Sequence, residues 1–419
     1  MKDLLQIDGP RLWASLMDMA RIGATAGGGV RRLALTDEDR RGRELFVRWC
    51  HEAGMTTWTD EVGNLFARRA GDDDEAAPVM MGSHLDTQPE GGRFDGVYGV
   101  LAALEVVRAL NDANVRTAKP IEIGSWTNEE GARFTPAMLG SAVFTGAMPL
   151  EDALARTDAA GVTLSQALDA SRARGTRAAQ GVKVDAYFEA HIEQGPVLEA
   201  NGNTIGVVTG GQAIRWFDVD VTGVAAHAGT TPMRYRKDAW FGAAQMSLDL
   251  ERALARYAPL GLATIGQAQI ANSSRNTIAA NLSFTVDLRH PDDAMLDAME
   301  RDLRAVCEAA ARARGLNVSV AQAWSSPATP FDAQCVALVE AATKRLGYSH
   351  ERIVSGAGHD AIHLARHCPT AMVFIPCVDG LSHNEAEDAL PADVTAGANV
   401  LLNAVAARAG AYAAAAAHA

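Results

Sequence analysis

Residues 82–96, reading GSHLDTQPEGGRFDG, gather one imidazole, His84, and two carboxylates, Asp86 and Asp95, in one short stretch. They follow an apolar run, 77–81, that reads as a buried strand. Residues two apart on a strand face the same way, so His84 and Asp86 emerge side by side where it ends. One can then bind a metal ion while the other steadies it, because a carboxylate beside a ligating histidine fixes the ring's tautomer. Gly91, Gly92 and Gly96 let the chain turn and return Asp95 towards His84. Any one of these residues alone reads more simply as part of a solvated polar loop. The rest of the chain supplies what the stretch lacks.

A pair of metal ions needs several nitrogen and oxygen ligands, one of them a bridging carboxylate. The sequence offers His84, Asp95, Glu130, His191 and His383, each at or just after the end of an expected strand. Imidazole and carboxylate suit Zn, Mn, Co or Ni, so ligand type leaves the metal open. Glu129 and Glu130 are adjacent, and in extended backbone their side chains diverge. One can hold metal while the other faces a water as general base, its pKa raised by neighbouring acids and partial burial.

The elements that position these residues alternate strand and helix. Helices are expected at 10–20, 36–54 and 96–111, the last with Val97, Val100, Leu101, Leu104 and Val107 at helical spacing and Glu105 and Arg108 opposite. Residues 57–67 read as a strand pair or a strand and turn, 120–126, 187–193 and 371–375 as strands, and 137–174 as helical. Functional groups then collect at the carboxyl ends of the strands, as α/β architecture requires. From 214 the order strand, helix, strand, strand, helix, strand (214–221, 234–257, 262–270, 281–290, 292–314, 317–323) is that of a ferredoxin-like βαββαβ unit. The expected division is therefore a catalytic domain in two parts, 1–213 and 328–419, around an inserted lid and dimerisation domain, 214–327. Within 281–290, Arg289 leaves the sheet opposite the apolar set Leu282, Phe284, Val286 and Leu288, where its guanidinium could fork a carboxylate.

Composition limits the partners. A chain of 419 residues with 48% hydrophobic content has room for two domains, and a formal net charge of −13 without a basic cluster argues against nucleic acid or an anionic membrane. The N-terminal stretch mixes acids and bases without an uninterrupted apolar core, so neither a signal peptide nor a membrane span is expected, and a cytoplasmic location follows by default. The five cysteines are odd in number and scattered, which favours reduced, partly buried thiols. The alanine-rich tail from Ala411 is expected to extend a helix or to fray. His359 and His363, four apart, could share a helix face, but Asp360 follows His359 where a zinc-protease helix carries glutamate, so His363 reads as structural. His51, His290, His350, His367 and His418 read as surface or structural, and the glycines of 206–211 open no phosphate loop.

Together, GSHLDTQPEGGRFDG, TNEEGARF, AHIEQGPVLE, HAGTTPMRYRKDA, the segment 276–289, SGAGHDA and LSHNEAED resemble the M20-type dinuclear metallohydrolases, in the branch of N-carbamoyl-L-amino-acid hydrolases, β-ureidopropionases and allantoate amidohydrolases. The similarity spans nearly the whole chain in the right order. It implies a zinc-peptidase-like α/β catalytic domain with a mixed sheet and two divalent transition-metal ions bridged by Asp95. His84 and His191 would complete one site, and Glu130 and His383 the other. Asp86 would orient His84, and Glu129 would be the base. The resemblance assigns Arg289 and Asn276 to the substrate's α-carboxylate and His227 to the oxyanion, reaching across the subunits of a homodimer. Gln194 and Gly358 match further substrate contacts. The implied reaction is cleavage of the ureido C–N bond of an N-carbamoyl-L-amino acid to the amino acid, CO₂ and ammonia. Allantoate and N-carbamoyl-β-alanine are alternatives, since both present a ureido group and a carboxylate. An aminoacylase or dipeptidase is disfavoured by His191, which replaces an acid, and a metal-free scaffold has no need of the ligand set.

Overall fold

The computed structural model describes residues 4–271 and 273–413. It resolves into two units, Met1–Gly210 with Pro330–Ala419, and Gly211–Thr329. The cuts fall at 210/211 and 329/330, where the sequence reading put 213/214 and 327/328.

The larger unit is built on a nine-stranded mixed sheet. Seven of its strands run in the order Thr56–Thr59, Leu65–Arg69, Ile121–Trp126, Val79–His84, Ala186–Ile192, Thr370–Ile375 and Ile205–Gly211. The four central strands, from Ile121–Trp126 to Thr370–Ile375, are mutually parallel, and the neighbours on either side are antiparallel. Every residue of these four strands is buried. Residues 79–81 and 371–375 are accordingly continuous apolar runs, since a parallel sheet is covered on both faces, while the other two strands bury Glu122, Glu189 and His191 among their apolar residues. The parallel order also sets their carboxyl ends side by side, with His84 in register with Trp126 and His191 with Phe374.

Helices Val97–Asp112 and Pro391–Arg408 pack against this sheet and each other. The first is buried almost all round, Glu105 included. The sequence placed Glu105 with Arg108 on the face away from the sheet. That face is in fact covered by helix Gly9–Ala20, whose Arg11 meets Glu105 at 2.6 Å. A buried carboxylate is tolerated only when so paired. Thr36 accepts from the Asp39 N–H and caps helix Asp37–Glu52, whose first turn holds three acids, as the helix dipole favours.

Other differences are local. Residues 57–67 resolve into the antiparallel pair Thr56–Thr59 and Leu65–Arg69. The stretch 137–174 is broken into Leu139–Phe144, Leu150–Leu154 and Leu164–Ala170, which share a small core with Leu35, Val62 and Phe134. Ala411–Ala413 pairs with Val115–Thr117 as a strand instead of continuing the preceding helix, while the remainder of the tail lies outside the described residues. All five cysteines are free and buried. Among the described residues, no helix is long and apolar enough to cross a membrane.

The smaller unit is a five-stranded antiparallel sheet in the order Ala268–Ala271, Asn281–His290, Ala213–Thr222, Asn317–Ser326, with Leu262–Thr264 also pairing to Asn281–His290. This is the ferredoxin-like strand order, with Ala239–Leu254 and Asp293–Arg314 as its helices. Leu282, Phe284, Val286 and Leu288 are buried in its core. Each such side chain stabilises the fold by about 1.5–3 kcal/mol. The first helix starts at Ala239, not near 234, because Asp238 caps it by accepting from the N–H groups of Trp240 and Phe241.

Candidate metal centre

The carboxyl ends of the four parallel strands deliver the chemistry. His84 ends one strand, Glu129 and Glu130 follow the next, His191 sits near the end of the third, and His383 lies in the loop after the fourth. Asp95 arrives from the turn before helix Val97–Asp112. Gly96 makes that turn possible. Its φ is +67°, and a Cβ there would lie 2.3 Å from the His84 ring, so only glycine fits.

Asp95 divides its oxygens. Oδ1 lies 3.2 Å from His191 Nε2 and 3.6 Å from His84 Nε2. Oδ2 lies 3.3 Å from His383 Nε2, which is 3.4 Å from Glu130 Oε2. Among the described residues, two of the three groups able to hold a metal ion share Asp95, His84 with Asp95 and His191, and Asp95 with Glu130 and His383, while the third joins Glu189, His191 and His359. The imidazoles are set for this. Nδ1 of His84 donates to the Asp86 carbonyl at 2.8 Å and Nδ1 of His191 to the Ile192 carbonyl at 2.9 Å, which turns each Nε2 towards Asp95, and that of His191 also accepts the Gly96 N–H at 3.1 Å.

Asp86 therefore steadies His84 through its backbone, its carboxylate lying 4.0 Å from the ring. That carboxylate instead accepts the N–H groups of Glu129 and Glu130 at 3.2 and 3.3 Å. The turn is fixed from the other side by Asn128, at φ +56°, whose side chain donates to the Phe134 carbonyl at 2.7 Å. Glu129 and Glu130 diverge. Glu130 Oε2 accepts from Gln88 Nε2 at 2.8 Å and faces His383, while Glu129 Oε2 lies 3.5 Å from His84 Nε2.

Three buried carboxylates, Asp86, Asp95 and Glu129, and the half-buried Glu130 surround this point. Burial, opposed by His84 and reinforced by the nearby carboxylates of Asp360, Glu130 and Asp86, holds the Glu129 carboxyl well above its ordinary range. Burial and Asp95 push Glu130 up to about 7. Uncompensated buried charge of one sign is costly, and a pair of divalent cations is what this nitrogen and oxygen donor set would accept to offset it. The donor chemistry thus fits the metal pair that the sequence implied.

A cavity of about 140 Å³ opens beside the carboxylates, walled further by Met138, Gln194, Gly358 and His359. Gln194, at φ +59°, donates to Asp95 Oδ2 at 2.9 Å, and Gly358 lies on the cavity wall. Sequence reasoning passed over His359. Its buried ring is 4.5 Å from that of His191, and its Nε2 has no hydrogen-bond partner among the described residues. Glu189, on the same strand as His191, accepts from Ser83 at 2.7 Å and from Tyr187 at 3.2 Å.

The remaining expected substrate residues belong to the smaller unit. His227 pairs through its backbone with Thr277, and the Ala228 N–H donates to the Asn276 carbonyl at 2.9 Å, so one local bridge holds His227 and Asn276 near each other. Arg289 grips Asp287, two positions earlier on its own strand face, through Nε at 3.0 Å and Nη2 at 2.7 Å.

Residues 80–407 match Peptidase family M20/M25/M40. The chain belongs to this family. Within it, the chain is 45% identical over 400 residues to the N-carbamoyl-L-amino-acid amidohydrolase of Rhizobium meliloti, over 96% of each protein. Identity to the allantoate amidohydrolase of Bacillus subtilis (strain 168) is lower, 32% over 88% of this chain and 90% of that protein. Among solved structures, a hydantoinase/carbamoylase family amidase from Burkholderia ambifaria is 73% identical with a TM-score of 0.94, over 98% of this chain and 100% of that one. These likenesses bear out the M20 resemblance and the mixed α/β fold that the motifs implied.

Proposed function

We propose that this M20-family chain is a metal-dependent hydrolase that cleaves the ureido C–N bond of N-carbamoyl-L-amino acids, releasing the amino acid, CO₂ and ammonia. The observation that carries the reading is the division of Asp95 between two donor groups, with Glu129 beside them. The higher identity to the amidohydrolase of N-carbamoyl-L-amino acids than to that of allantoate supports the choice of substrate.

His84 and His191 would hold one divalent cation and Glu130 and His383 the other, with Asp95 shared. When bound, the cations would supply Lewis acidity to the ureido carbonyl and to water. Glu129 takes the proton of the attacking water and returns it to the departing nitrogen, a role that suits a carboxyl held above its usual range. Gln194 and Gly358 line the cavity where the ureido group would lie. Arg289 and Asn276 are assigned to the substrate carboxylate, and His227 to the developing oxyanion. Zn, Mn, Co and Ni all suit the donors. A homodimer through the smaller unit and a cytoplasmic location complete the proposal.

The test is ammonia release by protein loaded with Mn²⁺, Co²⁺ or Zn²⁺, from a panel of N-carbamoyl-L- and D-amino acids, N-carbamoyl-β-alanine and allantoate. Turnover of the L-series is expected. Turnover of allantoate or N-carbamoyl-β-alanine alone would move the protein to another substrate in the same branch.

A further inference from the structure

Glu387 is 1% exposed, is absent from the cavity wall, and has no part in the mechanism above. Its Oε1 accepts the backbone N–H groups of Phe94 and Asp95, both at 3.0 Å. Its Oε2 accepts the hydroxyl of Ser382 at 2.9 Å. Ser382 immediately precedes His383, and its Oγ also lies 3.3 Å from Asp95 Oδ2. A single carboxylate therefore ties the main chain of the shared ligand to the loop that presents His383. The approach is close enough to dictate a glycine, because a Cβ on Gly92 would lie 2.0 Å from Glu387 Oε1. The second glycine of the Gly91-Gly92 pair is thus explained by this contact.

We infer that Glu387 is a positioning residue that sets the distance between the two donor groups by fixing Asp95 against the His383 loop. The inference rests on the dinuclear reading of the centre. It separates the two groups in a specific way. His84 and His191 stand on strands of the sheet, held by the ladder. His383 stands in a loop, at φ +54°, and Glu387 with Ser382 joins that loop to Asp95. Loss of Glu387 should then loosen the group of Glu130 and His383 and spare the other.

The experiment is titration of cation-free protein with Co²⁺, followed by calorimetry and by visible absorption of the bound ion. Wild-type protein is expected to take up two ions. Glu387→Ala should bind the first normally and the second roughly 10–100-fold more weakly, the usual effect of removing a partner that orients a ligand, with an altered absorption band for the second ion. Glu387→Gln should recover most of the affinity, since its amide oxygen accepts the same two N–H groups. Ser382→Ala, a milder change that preserves the fold if Glu387→Ala does not, should weaken only the second ion. Wild-type affinity for both ions in Glu387→Ala and Ser382→Ala would overturn the inference, as would Glu387→Gln behaving like alanine. Wild-type protein that binds fewer than two ions would remove the dinuclear reading and this inference with it.

Discussion

The carboxylate of Asp86 accepts the backbone N–H of Glu129 at 3.2 Å, so an acid on one strand end orients the residue proposed as base on the next. The neighbouring N–H of Glu130 is held in the same way. Asp86→Ala is expected to lower kcat by about 10–100-fold through misplacement of this turn. KM should change little. A kcat equal to wild type would assign the orientation of Glu129 to Asn128 alone.

Glu129→Gln retains the shape of the side chain and removes its capacity to take a proton. Cation content should be unchanged, and kcat should fall by about 10²–10⁴-fold, the range spanned by general acid–base catalysis. The check is metal analysis alongside steady-state kinetics. Normal turnover would take the base assignment away from Glu129.

Protons and cations compete for the same atoms. Without a cation His383 is pushed up to about 9, chiefly by its hydrogen bond to Asp95, and Glu130 is pushed up to about 7 by burial and Asp95. Both must deprotonate to serve as ligands, so uptake releases protons and apparent affinity rises with pH between about 7 and 9. Calorimetry in buffers of different ionisation heat reads the release directly. An affinity flat across that range would place the ions elsewhere.

A chelator should lower the melting temperature. A cation that binds only the folded chain stabilises it by about 4 kcal/mol when present at 1,000 times its dissociation constant. Removing it also returns the buried acids to mutual repulsion. Recovery of the melting temperature on adding Mn²⁺ or Co²⁺ completes the check.

Gly96→Ala must both hold a positive φ and drive a methyl group into the His84 ring. A loss of about 1–3 kcal/mol is expected from backbone strain. Metal uptake at the group of His84 and His191 should weaken in parallel. Denaturant unfolding and metal titration of one preparation measure both effects.

The strand ends were legible because short strand-like segments stop at turn residues, and His84, Glu130, His191 and His383 each lie at or beyond the end of one. Alternation made Leu282 to Leu288 legible in the same way. What escaped depends on chain segments far apart in sequence. Nothing local to Glu105 reveals that Arg11 and a covering helix arrive from upstream. Nothing local to Glu387 reveals that the N–H groups of Phe94 and Asp95 await it. His359 was weighed as a member of a helical pair, a frame that drew attention away from the cavity it lines. The helix expected near 234 starts at Ala239 because a cap outranks periodicity in fixing a boundary.

His383 reaches Asp95 only after strands from the early and late segments of the larger unit have been laid side by side. Contacts of such long sequence separation form slowly, since loop closure must precede any gain from them. A ribosome would therefore have to release most of the polypeptide before the second donor group existed. Capture of its ion would then be among the last events of maturation, and nascent or truncated chains would be unable to sequester the full complement of transition metal.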